Sequence, residues 1–147
     1  QVNFNSDTEF FVHNGDISRT IAVKDIPTII LVDTTLGSVD ITLNWSSGED
    51  LDLYLTDAPN FSSSLLDYSW YSQPENMTMG GFLPDGTYYI GVDNYQVPAP
   101  FSVACTLVLT FPDAQSNTIL TELTDFIWIA ITKTTNGSAV TYEIIVP

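Results

Sequence analysis

Asp50 and Asp52 stand two residues apart in Gly48-Glu49-Asp50-Leu51-Asp52-Leu53-Tyr54-Leu55, and Asp93 closes Gly91-Val92-Asp93 further along the chain. Residues two apart on a strand project to the same side, so Asp50 and Asp52 would stand together. If the strand carrying Asp93 is their neighbour, three carboxylates converge at one edge. Hard oxygen donors of that kind suit calcium. The plainer reading is that they are solvated charges that discourage strand-to-strand aggregation.

A second group is aromatic. Trp70, Tyr71, Tyr89 and Tyr95 fall in or beside expected loops, or on the outward face of an expected strand. Such rings stack on the apolar faces of sugars and are enriched at interfaces. They therefore point to a polysaccharide or an extracellular protein as partner. The alternative for Trp70 is that it caps one end of the core.

Catalytic constellations are weak. His13 is the only histidine, and it lies beside an expected hairpin turn. A serine–histidine–aspartate set would have to recruit it through space, and no Gly-x-Ser-x-Gly elbow is present. Paired carboxylates could hydrolyse a glycoside, but among 18 acidic residues some pair always lies close. Asp50-x-Asp52 also matches a glycosyltransferase pattern, without the βαβ surroundings that a nucleotide site needs. One histidine and one cysteine make a transition-metal site a poor fit. The expectation is a protein that is not an enzyme.

Charge narrows the partners. With three basic residues, Arg19, Lys24 and Lys133, the formal net charge is −15. Nucleic acid, which must be met by lysine and arginine, is disfavoured, as is an anionic membrane surface. No apolar run approaches the ~20 residues that cross a bilayer. The chain opens at Gln1 in a polar, Asn-rich stretch, as one trimmed after a secretion signal or linker would. A secreted, periplasmic or cell-surface location is expected.

These residues need strands to place them. Period-two alternation runs through almost every segment. Thr8 to His13 and Ile17 to Lys24 flank Asn14-Gly15-Asp16, a hairpin signal. The first ~25 residues are expected to form an edge hairpin or a leader from a preceding domain. Further strands are expected over 28–32, 38–45, 51–55, 64–70, 88–92, 101–111, 126–132 and 140–146, with Asn136-Gly137 as a second hairpin turn. Residues 116–125 could be strand or loop. Trp45, Leu51, Leu53, Leu55, Tyr88, Ile90, Val92, Val103, Cys105, Leu107, Leu109, Ile129 and Ile131 fall on the apolar faces and should form the core. Cys105 is then a buried small hydrophobe. The 147 residues suit one all-β domain, an antiparallel two-sheet sandwich of jelly-roll type.

Residues 38–111 carry one more signal. Ile41-Thr42-Leu43-Asn44-Trp45 leads into Asp50-Leu51-Asp52-Leu53-Tyr54-Leu55. Pro74-Glu75-Asn76-Met77 follows, and then Asp85-Gly86-Thr87-Tyr88-Tyr89-Ile90-Gly91-Val92. This order resembles the bacterial pre-peptidase C-terminal domain and its relatives, among them the collagen-binding domains of secreted collagenases. The resemblance implies a jelly-roll-like accessory domain next to an enzyme or adhesin in a longer precursor. It departs at the N-terminus, where the acidic calcium-binding linker of the collagen-binding relatives is not evident.

Overall fold

Alternating side chains give each strand one apolar face, and that face must be covered by a second sheet. The computed structural model describes residues 27–71, 73–95, 101–113 and 115–147, and the backbone of 10–14 and 17–21. The strands, in chain order, are β1 (Phe10–Asn14), β2 (Ile17–Ile21), β3 (Thr28–Thr35), β4 (Val39–Trp45), β5 (Leu51–Thr56) and β6 (Leu65–Ser69). They continue as β7 (Glu75–Met79), β8 (Gly86–Asn94), β9 (Val103–Thr110), β10 (Ser116–Leu123), β11 (Ile127–Asn136) and β12 (Ala139–Val146). No helix occurs among the described residues.

β3 to β12 form two antiparallel sheets packed face to face. The larger has the order β3-β12-β11-β8-β5-β6 and the smaller β10-β9-β4-β7. β1 and β2 pair with each other as a separate two-stranded sheet, with Asn14 opposite Ile17. The turn residues 15–16 lie outside the described residues, as do 1–9 and 22–26 of the expected N-terminal segment and the side chain of His13.

On the inner face of the smaller sheet, Ile41 stands beside Leu109, Leu43 beside Leu107 and Trp45 beside Cys105 on the paired strands β4 and β9. Val103, at the start of β9, adds to this face of the smaller sheet, and Leu51, Leu53 and Leu55 of β5, Tyr88, Ile90 and Val92 of β8, and Ile129 and Ile131 of β11 close the core from the larger sheet. Every position expected in the core is buried there. Each such aliphatic side chain contributes roughly 1.5–3 kcal/mol over leaving it exposed.

One strand and one residue differ from the sequence reading, and a second strand falls where strand and loop were both open. β7 was not expected as a strand, because its inward row of Glu75, Met77 and Met79 has an acid at one end and no β-branched residue. β10, undecided from sequence, is an edge strand whose register slips between Thr118 and Leu120 and again between Leu120 and Glu122. Such bulges interrupt the period of two. Lys133 lies within β11, ahead of the second turn, and is buried. Its Nζ donates to the carbonyls of Gly81 at 2.8 Å and Leu83 at 2.6 Å. The turn itself holds Gly137 at φ 66°, a conformation that glycine adopts without steric cost.

Candidate functional site

The outer face of the larger sheet carries the side chains that alternate with the core rows. On β5 these are Asp52, Tyr54 and Thr56, set between Leu51, Leu53 and Leu55. Tyr54 stands opposite Tyr68 of β6 and Gly91 of β8, and Gly91 stands opposite Trp128 of β11. One cross-strand row is thus Tyr68, Tyr54, Gly91, Trp128. In the neighbouring row Asp52 stands opposite Asp93.

Gly91 leaves room in the first row, and the Trp128 ring fills it. A Cβ at Gly91 would come within 2.7 Å of the ring carbon Cζ3. The β5–β6 loop then folds back over the face. Asn60 Oδ1 accepts from the Ser62 amide at 3.0 Å, Asp57 Oδ1 from the Ser64 amide at 3.0 Å, and the Ala58 carbonyl from Thr56 Oγ1 at 2.7 Å. This bracing sets the Phe61 ring 5.2 Å from Tyr54, edge to face, and 5.5 Å from Trp128. On the other side of Tyr54, Trp70 lies at 5.7 Å and in turn stacks on Tyr68 at 4.1 Å. Tyr71 extends the band, 6.4 Å from Tyr68. A continuous run of rings therefore crosses the outer face from Tyr71 to Trp128.

A cavity of about 400 Å³ opens beside this band, lined by Asp50, Asp52, Tyr54, Trp70 and Tyr95. The β4–β5 connection is pinned by Trp45 Nε1, which donates to the Glu49 carbonyl at 2.8 Å. The Asp50 carbonyl accepts from the Tyr95 amide at 2.9 Å, so the backbone itself sets Tyr95 beside Asp50.

Asp52 is the unusual member. Its side chain leaves the core, yet it is only 4% exposed. The Tyr54 hydroxyl donates to its Oδ2 at 3.2 Å. Burial raises its pKa to about 6; the bond from Tyr54 opposes the rise, and the charges of Asp50, Glu75 and Asp93 add to it. Burial also raises the Asp93 carboxyl, with Asp125 contributing. Tyr54 is pushed well above its ordinary value by burial and by the charge of Asp52. Lys133, the one basic side chain among the described residues, is engaged elsewhere by Gly81 and Leu83.

Glu75 is 1% exposed, at the start of β7. Its Oε2 accepts from Ser69 Oγ, while Oε1 is buried without a donor among the described residues. Nothing in the sequence marked it beyond its place in Pro74-Glu75-Asn76-Met77.

Of the residues singled out from sequence, Asp50, Asp52, Trp70 and Tyr95 line one cavity. Asp93 faces Asp52 from the next strand. Tyr71, 77% exposed, stands at the end of the ring band, and Tyr89 lies on the outer face opposite Thr56, away from the cavity lining. Trp70 is 44% exposed, stacked on outer-face rings and outside the buried core. Asp52 is not a solvated edge charge: β5 is flanked by β6 and β8, and Tyr54 and Trp70 wall it in. Among the described residues, no three histidine, cysteine or carboxylate side chains are grouped so as to hold a metal ion. The sequence does not show that Tyr54 hydrogen-bonds Asp52.

The arrangement offers flat ring faces beside carboxylate acceptors in a concave site. It can stack on a ligand, accept hydrogen bonds from it and attract positive charge. No family model, curated protein or solved structure matches the chain.

Proposed function

We propose that this chain is a non-catalytic accessory module of a secreted or cell-surface bacterial protein, and that it binds its ligand on the outer face of the six-stranded sheet. The observation that carries this is the exposed ring band: Tyr68, Trp70, Tyr71 and Phe61 all remain exposed on one face. Contiguous exposed apolar surface rimmed by polar groups marks interaction sites. The resemblance of residues 38–111 to pre-peptidase C-terminal domains supports the accessory role beside a larger partner domain.

Polysaccharide is the favoured ligand class within this reading. Rings stack on sugar faces, and Asp50 and Asp52 beside them would accept hydroxyl hydrogen bonds. The test is co-sedimentation with insoluble polysaccharides and with extracellular matrix protein, for the wild type and a Trp70→Ala, Tyr71→Ala double variant. Retention by one of these that drops at least about tenfold in the folded double variant is the expected result. Retention that the double variant leaves intact, or no retention by any of them, would overturn the assignment.

A further inference from the structure

The geometry points to a more specific ligand chemistry: we propose that the cavity walled by Asp50, Asp52, Tyr54, Trp70 and Tyr95 receives an organic ammonium cation. This rests on the reading of the outer face as a binding surface and names the charged group that its ligand carries.

Three features argue for it. First, three of the five lining residues are aromatic. Ring faces attract ammonium groups through their quadrupole, by roughly 0.5–2 kcal/mol per ring depending on desolvation. Second, the other two lining residues are carboxylates, and Asp52 is almost wholly buried with one long bond, from Tyr54, among the described residues. A buried carboxylate is costly unless it is paired, and no described basic side chain pairs with it. A cationic ligand would supply the counter-charge that no described side chain supplies. Third, about 400 Å³ lies within the range of small-molecule sites and suits a charged head with several carbons attached.

The lining also discriminates between cations. Calcium seeks roughly six to eight oxygen ligands, and three of the five lining residues are aromatic. An ammonium group exchanges its hydration for ring faces and two carboxylates, which is what the cavity presents. The carbon-bearing sources of such a group include a lysine side chain, an amino sugar and a choline-type head group. All share the same recognition, and primary and quaternary probes tell them apart.

Ionisation of Asp52 should strengthen binding. Asp50, Glu75, Asp93 and Tyr54 are the titratable groups that act on it, with Tyr95 on the cavity wall and Asp125 acting on Asp93. Burial and the negative charges of Asp50, Glu75 and Asp93 hold the proton on Asp52, so affinity should fall as pH drops through about 6.

The experiment is calorimetric titration of the whole chain with choline chloride, n-propylammonium chloride, calcium chloride and 3,3-dimethylbutan-1-ol, the uncharged carbon analogue of choline. At least one ammonium probe should bind at least about tenfold more tightly than the uncharged analogue. That binding should fall at least about tenfold in Asp52→Asn and in Trp70→Ala, and between pH 7.5 and pH 5. Glu143→Gln, which removes one exposed charge from β12, should leave it unchanged and so controls for the diffuse attraction of an acidic protein. Equal binding of the uncharged analogue, an equal loss in Glu143→Gln, or binding of calcium alone would overturn the proposal. Retention on polysaccharide that persists while neither ammonium probe binds would overturn it too, and would leave the broader binding reading standing.

Discussion

Asp52 stands directly opposite Asp93 on the neighbouring antiparallel strands β5 and β8, on the outer face of the larger sheet. Like charges directly opposed across a pair of strands destabilise it. Burial is the larger effect, making the charged form of Asp52 expensive, and the opposed Asp93 adds to it.

Stability should therefore fall as pH rises between about 4 and about 6. The folded chain holds the Asp52 proton more tightly than the unfolded chain does, because the folded pKa is raised from 3.8 to about 6. Below the unfolded value both states are protonated and nothing is lost. Above the folded value the full penalty is present, up to about 3 kcal/mol for a shift of this size. The upward shift of Asp93 acts in the same direction. Asp52→Asn should raise stability at pH 7.5 by about 1–3 kcal/mol and gain little at pH 4. Urea unfolding at both pH values measures this; an equal effect at both would disprove the titration account.

Gly91 and Trp128 give a test of the ring band. Gly91→Ala would place a methyl group against the Trp128 ring, which is itself packed on Phe61 and Phe126. Displacing that ring should cost about 1–3 kcal/mol and change the tryptophan emission. Unchanged emission and melting temperature would mean that the ring does not lie over Gly91.

Cys105 should be inert in the native protein. It is buried opposite Trp45, and burial, with the charge of Glu122, pushes its thiol up to about 11. Thiolate is the reactive form. A chromogenic disulfide reagent should label it only in denaturant. Rapid labelling under native conditions would place β9 in a different register.

Lys133 ties β11 to the β7–β8 connection through the Gly81 and Leu83 carbonyls. Lys133→Met keeps the stem and removes both donors, leaving two carbonyls to find other partners. The expected cost is about 1–3 kcal/mol, read from denaturant unfolding. A neutral result would show that water replaces the ammonium there.

What the sequence determined by itself is local. Alternation in Leu51-Asp52-Leu53-Tyr54-Leu55 is enough to send the leucines inward and Asp52 and Tyr54 outward, because the side-chain period of a strand is two. The same argument placed Val103, Cys105, Leu107 and Leu109, and the Asn136-Gly137 dipeptide, which readily takes positive φ, placed the turn. It failed where a local signal was missing, at the bulged β10 and at β7, whose inward row begins with Glu75.

Only the tertiary structure decided what the outward residues meet. That Asp93 lies opposite Asp52 depends on β8 pairing with β5, a long-range choice that neither strand's own pattern contains. The burial of Asp52 depends on Trp70 and Tyr95 arriving from two other segments to form one wall with Tyr54 of its own strand. Alternation says which face a side chain takes; strand order and loop closure say which neighbours share that face. Here the neighbours turned an ordinary surface carboxylate into a desolvated one set among rings.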